Sequence, residues 1–276
     1  MKNRKAVKER LDKLLVDRGL AESRTKAQAL IMAGLIKVNG ERMDKSGALV
    51  GTESFLEAPD GRRWAGRGAY KLLKAFEVFN LDVSGRVCVD IGASTGGFTD
   101  VLLDAGARKI YAVDVGYGQL LTRLAVDPRV VVMDRTNART LTPGKFDEVI
   151  EVMVCDASFI SLRLLLPVMD SVLSDAGEAV ILIKPQFEAG RVIIGHNRGV
   201  VLDPEVHVLV LKEVLEFAAR ETGLSPTGLS WSPVLGPGGN MEFLCHLNRG
   251  PVSIADIPAL VSEVVKAAHR DLRDKN

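Results

Sequence analysis

The stretch Val87-Cys-Val-Asp90-Ile-Gly92-Ala-Ser-Thr-Gly96-Gly97-Phe98 decides the fold. An apolar run ends in a glycine-rich turn, and a helical pattern then runs from Phe98 to Ala105. This is a strand, a loop and a helix. Glycine in such a turn lets the backbone approach a ligand closely, and the opening amides of the helix can hold an anionic group. A dinucleotide fingerprint reads G-x-G-x-x-G, whereas the spacing here is G-x-x-x-G-G, which argues against a nicotinamide cofactor. Asp114 closes the next apolar run, 22 positions after Gly92, where a carboxylate can bond both hydroxyls of a ribose.

Outward from this motif, strands and helices alternate. A helix is expected at Ala69–Phe79, and strands at 86–91, 109–113, 130–133, 149–155, 179–183 and 241–247. Segments 120–126 and 161–173 supply crossover helices, and a longer helix spans 205–222. The pattern predicts an α/β domain, a mostly parallel sheet with helices on both faces, over residues 67–276. Ligands of such sheets sit beyond the carboxyl ends of the strands. Asp90, Gly92, Ser94, Gly96, Gly97, Phe98 and Asp114 fall there, and Asp134, after the following strand, is placed to face a base or to open a turn. Valine at Gly96 is expected to block the ligand while leaving the fold intact.

Residues 1–61 read as a separate small α+β domain, joined by a linker at 62–66. Leu11, Leu14 and Leu15 have helical spacing within 8–20, and Ser23 is an N-cap for a helix ending at Gly34. Asn39-Gly40 is a two-residue hairpin signal, and short strands follow at 48–50 and 54–56. The order Arg10-Leu-Asp-Lys-Leu-Leu, Ser23-Arg-Thr-Lys-Ala, Gly34-Leu-Ile-Lys-Val-Asn-Gly40 resembles the RNA-binding domain named after a small-subunit ribosomal protein. That resemblance implies a basic RNA-facing surface, with Lys13, Arg18, Arg24, Lys26, Lys37 and Arg42 neutralising phosphates.

Charge supports the division. Residues 1–64 hold 14 Lys+Arg against 9 Asp+Glu, while the remaining chain holds 22 against 26, so an overall net charge of +1 hides a basic appendage on a mildly acidic body. The 47% apolar and 26% charged composition excludes wholesale disorder. No apolar run approaches the ~20 residues of a membrane helix, and no signal peptide follows the basic N-terminus. Cys88, Cys155 and Cys245 have apolar surroundings and no metal-ligand spacing, which reads as reduced core cysteines of a cytoplasmic protein.

Four polar residues stand where apolar runs meet loops: Lys71, Asp156, Lys184 and Glu242. The glycine loop with Asp114 is similar to the S-adenosylmethionine site of class I, Rossmann-like methyltransferases. Arg67-Gly-Ala-Tyr-Lys-Leu, Asp90-Ile-Gly-Ala-Ser-Thr-Gly-Gly-Phe-Thr-Asp100, Asp134-Arg-Thr-Asn137, Asp156-Ala-Ser-Phe-Ile-Ser-Leu162 and Lys184-Pro-Gln-Phe-Glu-Ala-Gly-Arg191 resemble the TlyA (hemolysin A) family of rRNA ribose methyltransferases. The resemblance implies an FtsJ-type catalytic domain whose Lys–Asp–Lys–Glu tetrad falls on Lys71, Asp156, Lys184 and Glu242. It also implies transfer from S-adenosylmethionine to cytidine 2′-hydroxyls of 23S or 16S rRNA on ribosomal subunits. A departure follows Arg191, where Val-Ile-Ile stands in the expected lid loop, 190–199.

A ribose hydroxyl is a weak nucleophile at neutral pH, so the protein must align it and take its proton. Lys184 is the expected base. No metal is needed, and His196, His207, His246 and His269 lack ligand spacing. Two alternatives carry different expectations: an assembly protein with an inactive methyltransferase fold binds cofactor without methylating RNA, and a hemolysin needs a membrane-inserting segment.

Overall fold

A computed structural model of the chain describes residues 8–17, 20–21, 23–52, 54, 56–58, 64–190, 199–250, 254 and 256–273. It divides into two compact units, 1–63 and 64–276. Arg18, His196 and residues 191–198 of the expected lid lie outside the described residues.

In the small unit, strand β1 (Lys8–Arg10) leads into helix α1 (Leu11–Asp17), and α2 (Arg24–Met32) follows. Strands β2 (Ile36–Val38), β3 (Glu41–Met43), β4 (Leu49–Gly51) and β5 (Leu56–Glu57) complete it. The Ser23 side chain accepts from the Lys26 amide at 3.2 Å, which is the expected N-cap. Asn39 and Gly40 both have positive φ, +53° and +86°, the backbone that a tight β2–β3 hairpin requires. The first helix starts later than its periodicity suggests. Lys8–Arg10 instead pair antiparallel with Leu49–Gly51, because tertiary pairing outweighs local propensity here. Leu11, Leu15, Ala27, Ile31 and Ile36 form the fully buried centre of this unit.

Among the described residues the large unit is built on a seven-stranded sheet. Its strands are β6 (Val87–Ile91), β7 (Lys109–Val113), β8 (Val130–Met133), β9 (Ile150–Cys155), β10 (Leu173–Ile183), β11 (Leu224–Trp231) and β12 (Phe243–Arg249). Their spatial order is β11-β12-β10-β9-β6-β7-β8. Only β12 runs against the others, pairing antiparallel with both β10 and β11. Helices α3 (Ala69–Phe79), α4 (Gly97–Asp104) and α5 (Thr122–Ala125) cover one face, with Leu72, Leu102 and Leu124 in its core. Helices α6 (Leu166–Val172), α8 (Pro204–Glu221) and α9 (Ile257–Arg273) cover the other, with Met169, Leu215 and Val265 buried. A short helix, α7 (Pro185–Glu188), follows β10. The expected α/β architecture is therefore present.

Three local expectations change. Trp64 is buried in the large unit's core and the Ala65 amide donates to Asp100 at 2.7 Å, so the C-terminal part of the expected 62–66 linker is packed protein. Strand β11 was not expected: Pro226 and Gly228 weaken its pattern, and the register shifts between them. Helix α9, in a region the periodicity left unassigned, completes the second face. All three cysteines are buried and free, and burial pushes the Cys88 and Cys155 thiols up to about 12.

Candidate active site

Strand order reverses at β6, since β7 and β8 lie to one side and β9 and β10 to the other. That reversal opens a crevice at the carboxyl ends of β6 and β9. The glycine loop leaves β6 there. Its close approaches are structural: a Cβ on Gly92 would lie 3.0 Å from the Asp156 carbonyl oxygen, and one on Gly97 3.0 Å from the Ala69 amide nitrogen. Gly97 thus lets the start of α4 meet the start of α3, which brings Lys71 to the crevice.

The four polar residues converge. Asp156 follows β9, Lys184 follows β10, and Glu242 precedes β12, whose reversed direction places its first residue beside the other strands' last. Lys71 Nζ donates to Glu242 Oε2 at 2.7 Å and to Asp156 Oδ2 at 3.2 Å. Lys184 Nζ lies 2.6 Å from Asp156 Oδ1 and donates to the Asp156 carbonyl at 3.0 Å and to Ser158 Oγ at 2.8 Å. Glu242 and Lys184 are 1% and 5% exposed, so this is a nearly dry chain of alternating charge. Burial alone would lower the Lys71 pKa, but the Asp156 and Glu242 carboxylates outweigh it and hold the ammonium above its ordinary value.

Two adjoining cavities share Gly92, Ser94 and Asp156. The larger, about 730 Å³, is lined by Asp114, Val115, Gln119, Asn137, Phe159 and Leu165 among others. The smaller includes Lys71, Gly97, Phe98 and Gly236. Asp114 accepts from the Ser94 amide at 2.8 Å and from the Gly116 amide at 2.7 Å, one bond on each oxygen. Each oxygen keeps acceptor capacity for a ligand hydroxyl. Among the described residues no side chain caps α4, leaving its opening amides for a carboxylate. Beneath the loop, Asp90 is fully buried; Oδ2 accepts from Thr99 Oγ1 at 2.7 Å, while Oδ1 has no partner among the described residues. Burial raises the Asp90 carboxyl to about 7. An acidic ribose end and an uncapped helix start suit a zwitterionic nucleoside such as S-adenosylmethionine.

Residues 64–249 match the FtsJ-like methyltransferase family. The chain belongs to that family. Residues 9–55 match the S4 domain. Similar relatives include a candidate rRNA methyltransferase, YqxC, of Bacillus subtilis, 46% identical over 97% of this chain and 96% of its own. The 16S/23S rRNA (cytidine-2′-O)-methyltransferase TlyA of Mycobacterium tuberculosis is 46% identical over 86% of this chain and 89% of its own. A solved candidate hemolysin from Streptococcus thermophilus superposes with a TM-score of 0.75, at 43% identity, over 98% of this chain and 99% of that one. Among the described residues, no helix is long and apolar enough to cross a membrane.

Of the expected cofactor residues, Gly92, Ser94, Gly97, Phe98 and Asp114 line the two cavities, whereas Asp90, Gly96 and Asp134 do not. Asp134 accepts from the Gly118 amide at 2.8 Å and closes a turn. Gly96 has φ +99°, and a Cβ there would overlap Leu124 and Leu120 rather than reach a cavity. Valine at Gly96 therefore attacks the fold, which corrects the expectation of a folded, cofactor-blind variant. In the small unit Lys13, Arg24, Lys26, Lys37 and Arg42 are all exposed, and Lys13 also pairs with Glu9 at 2.7 Å. Arg24 differs: its guanidinium lies 3.1 Å from the fully buried Asp12, which also accepts from Arg10 and Gln28 at 2.8 Å. The Arg10 hydrogen bond outweighs burial and, with Gln28 and Arg24, holds the Asp12 carboxyl far below its ordinary range. Arg24 therefore also braces the small unit from its exposed position. Ser158 and Gln186 stand inside the quoted motifs that begin at Asp156 and Lys184 but, like Gly236, were not singled out, since their roles depend on contacts across the sheet edge.

Proposed function

We propose that the protein is a cytoplasmic S-adenosylmethionine-dependent methyltransferase acting on cytidine 2′-hydroxyls of 16S or 23S rRNA within ribosomal subunits. The observation that carries this reading is the Lys71–Asp156–Lys184 chain, closed by Glu242, at the switch point beside a nucleoside-sized cavity. S-adenosylmethionine supplies a methyl group already activated on a sulfonium. Asp114 holds its ribose, and the loop with Ser94, Gly97 and Phe98 holds its amino-acid end.

The protein's remaining work is to align the hydroxyl and accept its proton. Lys71, flanked by two carboxylates, serves as a fixed cation that orients the substrate. Lys184 faces one carboxylate, which it shares with Lys71, and is assigned as the proton acceptor. With Lys184 in its free-amine form, Nζ would take the O–H proton as the hydroxyl oxygen displaces the thioether from the donor's methyl group, and Ser158 would then lead the proton outward to solvent. The exposed Lys26, Lys37 and Arg42 supply phosphate contacts, which position RNA without reading its sequence.

Ribosomal subunits from cells lacking the protein, incubated with it and methyl-labelled S-adenosylmethionine, test this. After digestion to nucleosides, label should appear in 2′-O-methylcytidine. Label in a base-methylated nucleoside, or cofactor binding without transfer, contradicts the proposal; the second result would favour an assembly protein with an inactive fold.

A further inference from the structure

Gln186 opens an unassigned part of the site. It lies in α7 two residues after Lys184 and is 7% exposed. Its Nε2 donates to Glu242 Oε1 at 3.1 Å, on the side of that carboxylate away from Lys71, which bonds Oε2. Because a carboxylate only accepts, this contact fixes which way the amide faces. The consequence is an isolated acceptor: Gln186 Oε1 is buried and has no hydrogen-bond partner among the described residues. A residue retained for packing alone is better apolar, since burying an unsatisfied carbonyl is costly. The orphan oxygen is the cost of placing an N–H donor against Glu242.

The surroundings of Glu242 explain what the donor does. Among the described residues the charged group facing it is Lys71 of α3; Asp156 and Lys184 stand one link further along. From the turn after β11, Gly236 presses so close that a Cβ there would overlap Glu242 Oε1. With 1% exposure, water does little to stabilise this carboxylate. We propose that Gln186 is a positioning residue for methyl transfer, holding Glu242 turned onto Lys71 so that the Lys71–Asp156–Lys184 chain keeps its alignment. This rests on the catalytic reading of the four residues given above.

The test uses the full-length protein, ribosomal subunits and saturating S-adenosylmethionine, with single-turnover rates measured from about pH 5.5 to 9.5. Gln186→Met keeps length and removes the donor. Without the donor Glu242 is free to turn from Lys71, so the rate should fall ~10-fold across the whole range, with cofactor affinity unchanged. Gln186→Glu should instead show a pH-dependent loss. Its carboxyl, when protonated, donates as the amide did, so activity survives at low pH and falls as the pH rises and the two carboxylates repel. A wild-type rate in Gln186→Met, or a loss in Gln186→Glu that is uniform with pH, overturns the proposal. A wild-type enzyme that transfers no methyl to ribose would instead overturn the catalytic reading, and this proposal with it.

Discussion

Replacing Lys184 by methionine separates chemistry from binding. The side chain is 5% exposed and its nitrogen contacts the Asp156 carbonyl at 3.0 Å, Ser158 Oγ at 2.8 Å and Asp156 Oδ1 at 2.6 Å. Methionine keeps the length and the apolar stem but cannot accept a proton. Losing a general base costs at least ~100-fold, equivalent to ~2.7 kcal/mol of barrier. Stability should suffer less than at an isolated buried pair, where ~3–5 kcal/mol is usual. Asp156 retains Lys71 at 3.2 Å, so the loss should stay nearer ~1.5–3 kcal/mol, the value of a charged hydrogen bond. The assay is single-turnover methylation with enzyme in excess, alongside calorimetric titration of cofactor and a filter-binding curve for RNA. Both affinities should match wild type while the rate collapses. A wild-type rate, or a slow rate that saturating RNA restores, refutes the base assignment and makes Lys184 a phosphate contact.

Asp114→Ala should weaken S-adenosylmethionine binding by ~1.5–3 kcal/mol, read by calorimetry, because each carboxylate oxygen has room for a ribose hydroxyl; unchanged affinity removes the proposed cofactor site. Gly96→Val should lower the melting temperature sharply, since its φ of +99° and its contact with Leu120 and Leu124 leave no room for a branched side chain; a stable protein that has merely lost cofactor affinity contradicts this. Reversing Lys26 and Arg42 to Glu should weaken RNA binding and flatten its salt dependence without altering cofactor affinity. Arg24→Glu should instead destabilise the small unit, by setting a second carboxylate against buried Asp12; equal thermal stability of these variants refutes the distinction.

The β6–α4 motif and the sheet class were legible because strand periodicity, a glycine turn and Asp114 are local patterns. The four converging residues were legible because each stands at the boundary between an apolar run and a loop. Strand β11 was hidden, as Pro226 and Gly228 interrupt the alternation that its pairing with β12 restores. Gly96 reads as a ligand residue, and Asp134 as facing a base or opening a turn, because sequence shows a residue's place in a loop but not the direction of its Cβ or carboxylate. Arg24 looked like its basic neighbours, since no spacing rule reveals the buried Asp12 twelve residues earlier. Gln186 is likewise defined by a partner 56 residues away.

The most direct measurement is alkaline hydrolysis mapping of rRNA from cells lacking the protein, complemented with wild type or with Lys184→Met. A 2′-O-methyl group removes the hydroxyl that attacks the adjacent phosphate, so a methylated nucleotide resists cleavage at its 3′ side. Wild type should restore protection at a cytidine, and Lys184→Met, expressed at the same level, should leave that position cleaved. Protection restored equally by both, or by neither, contradicts the account.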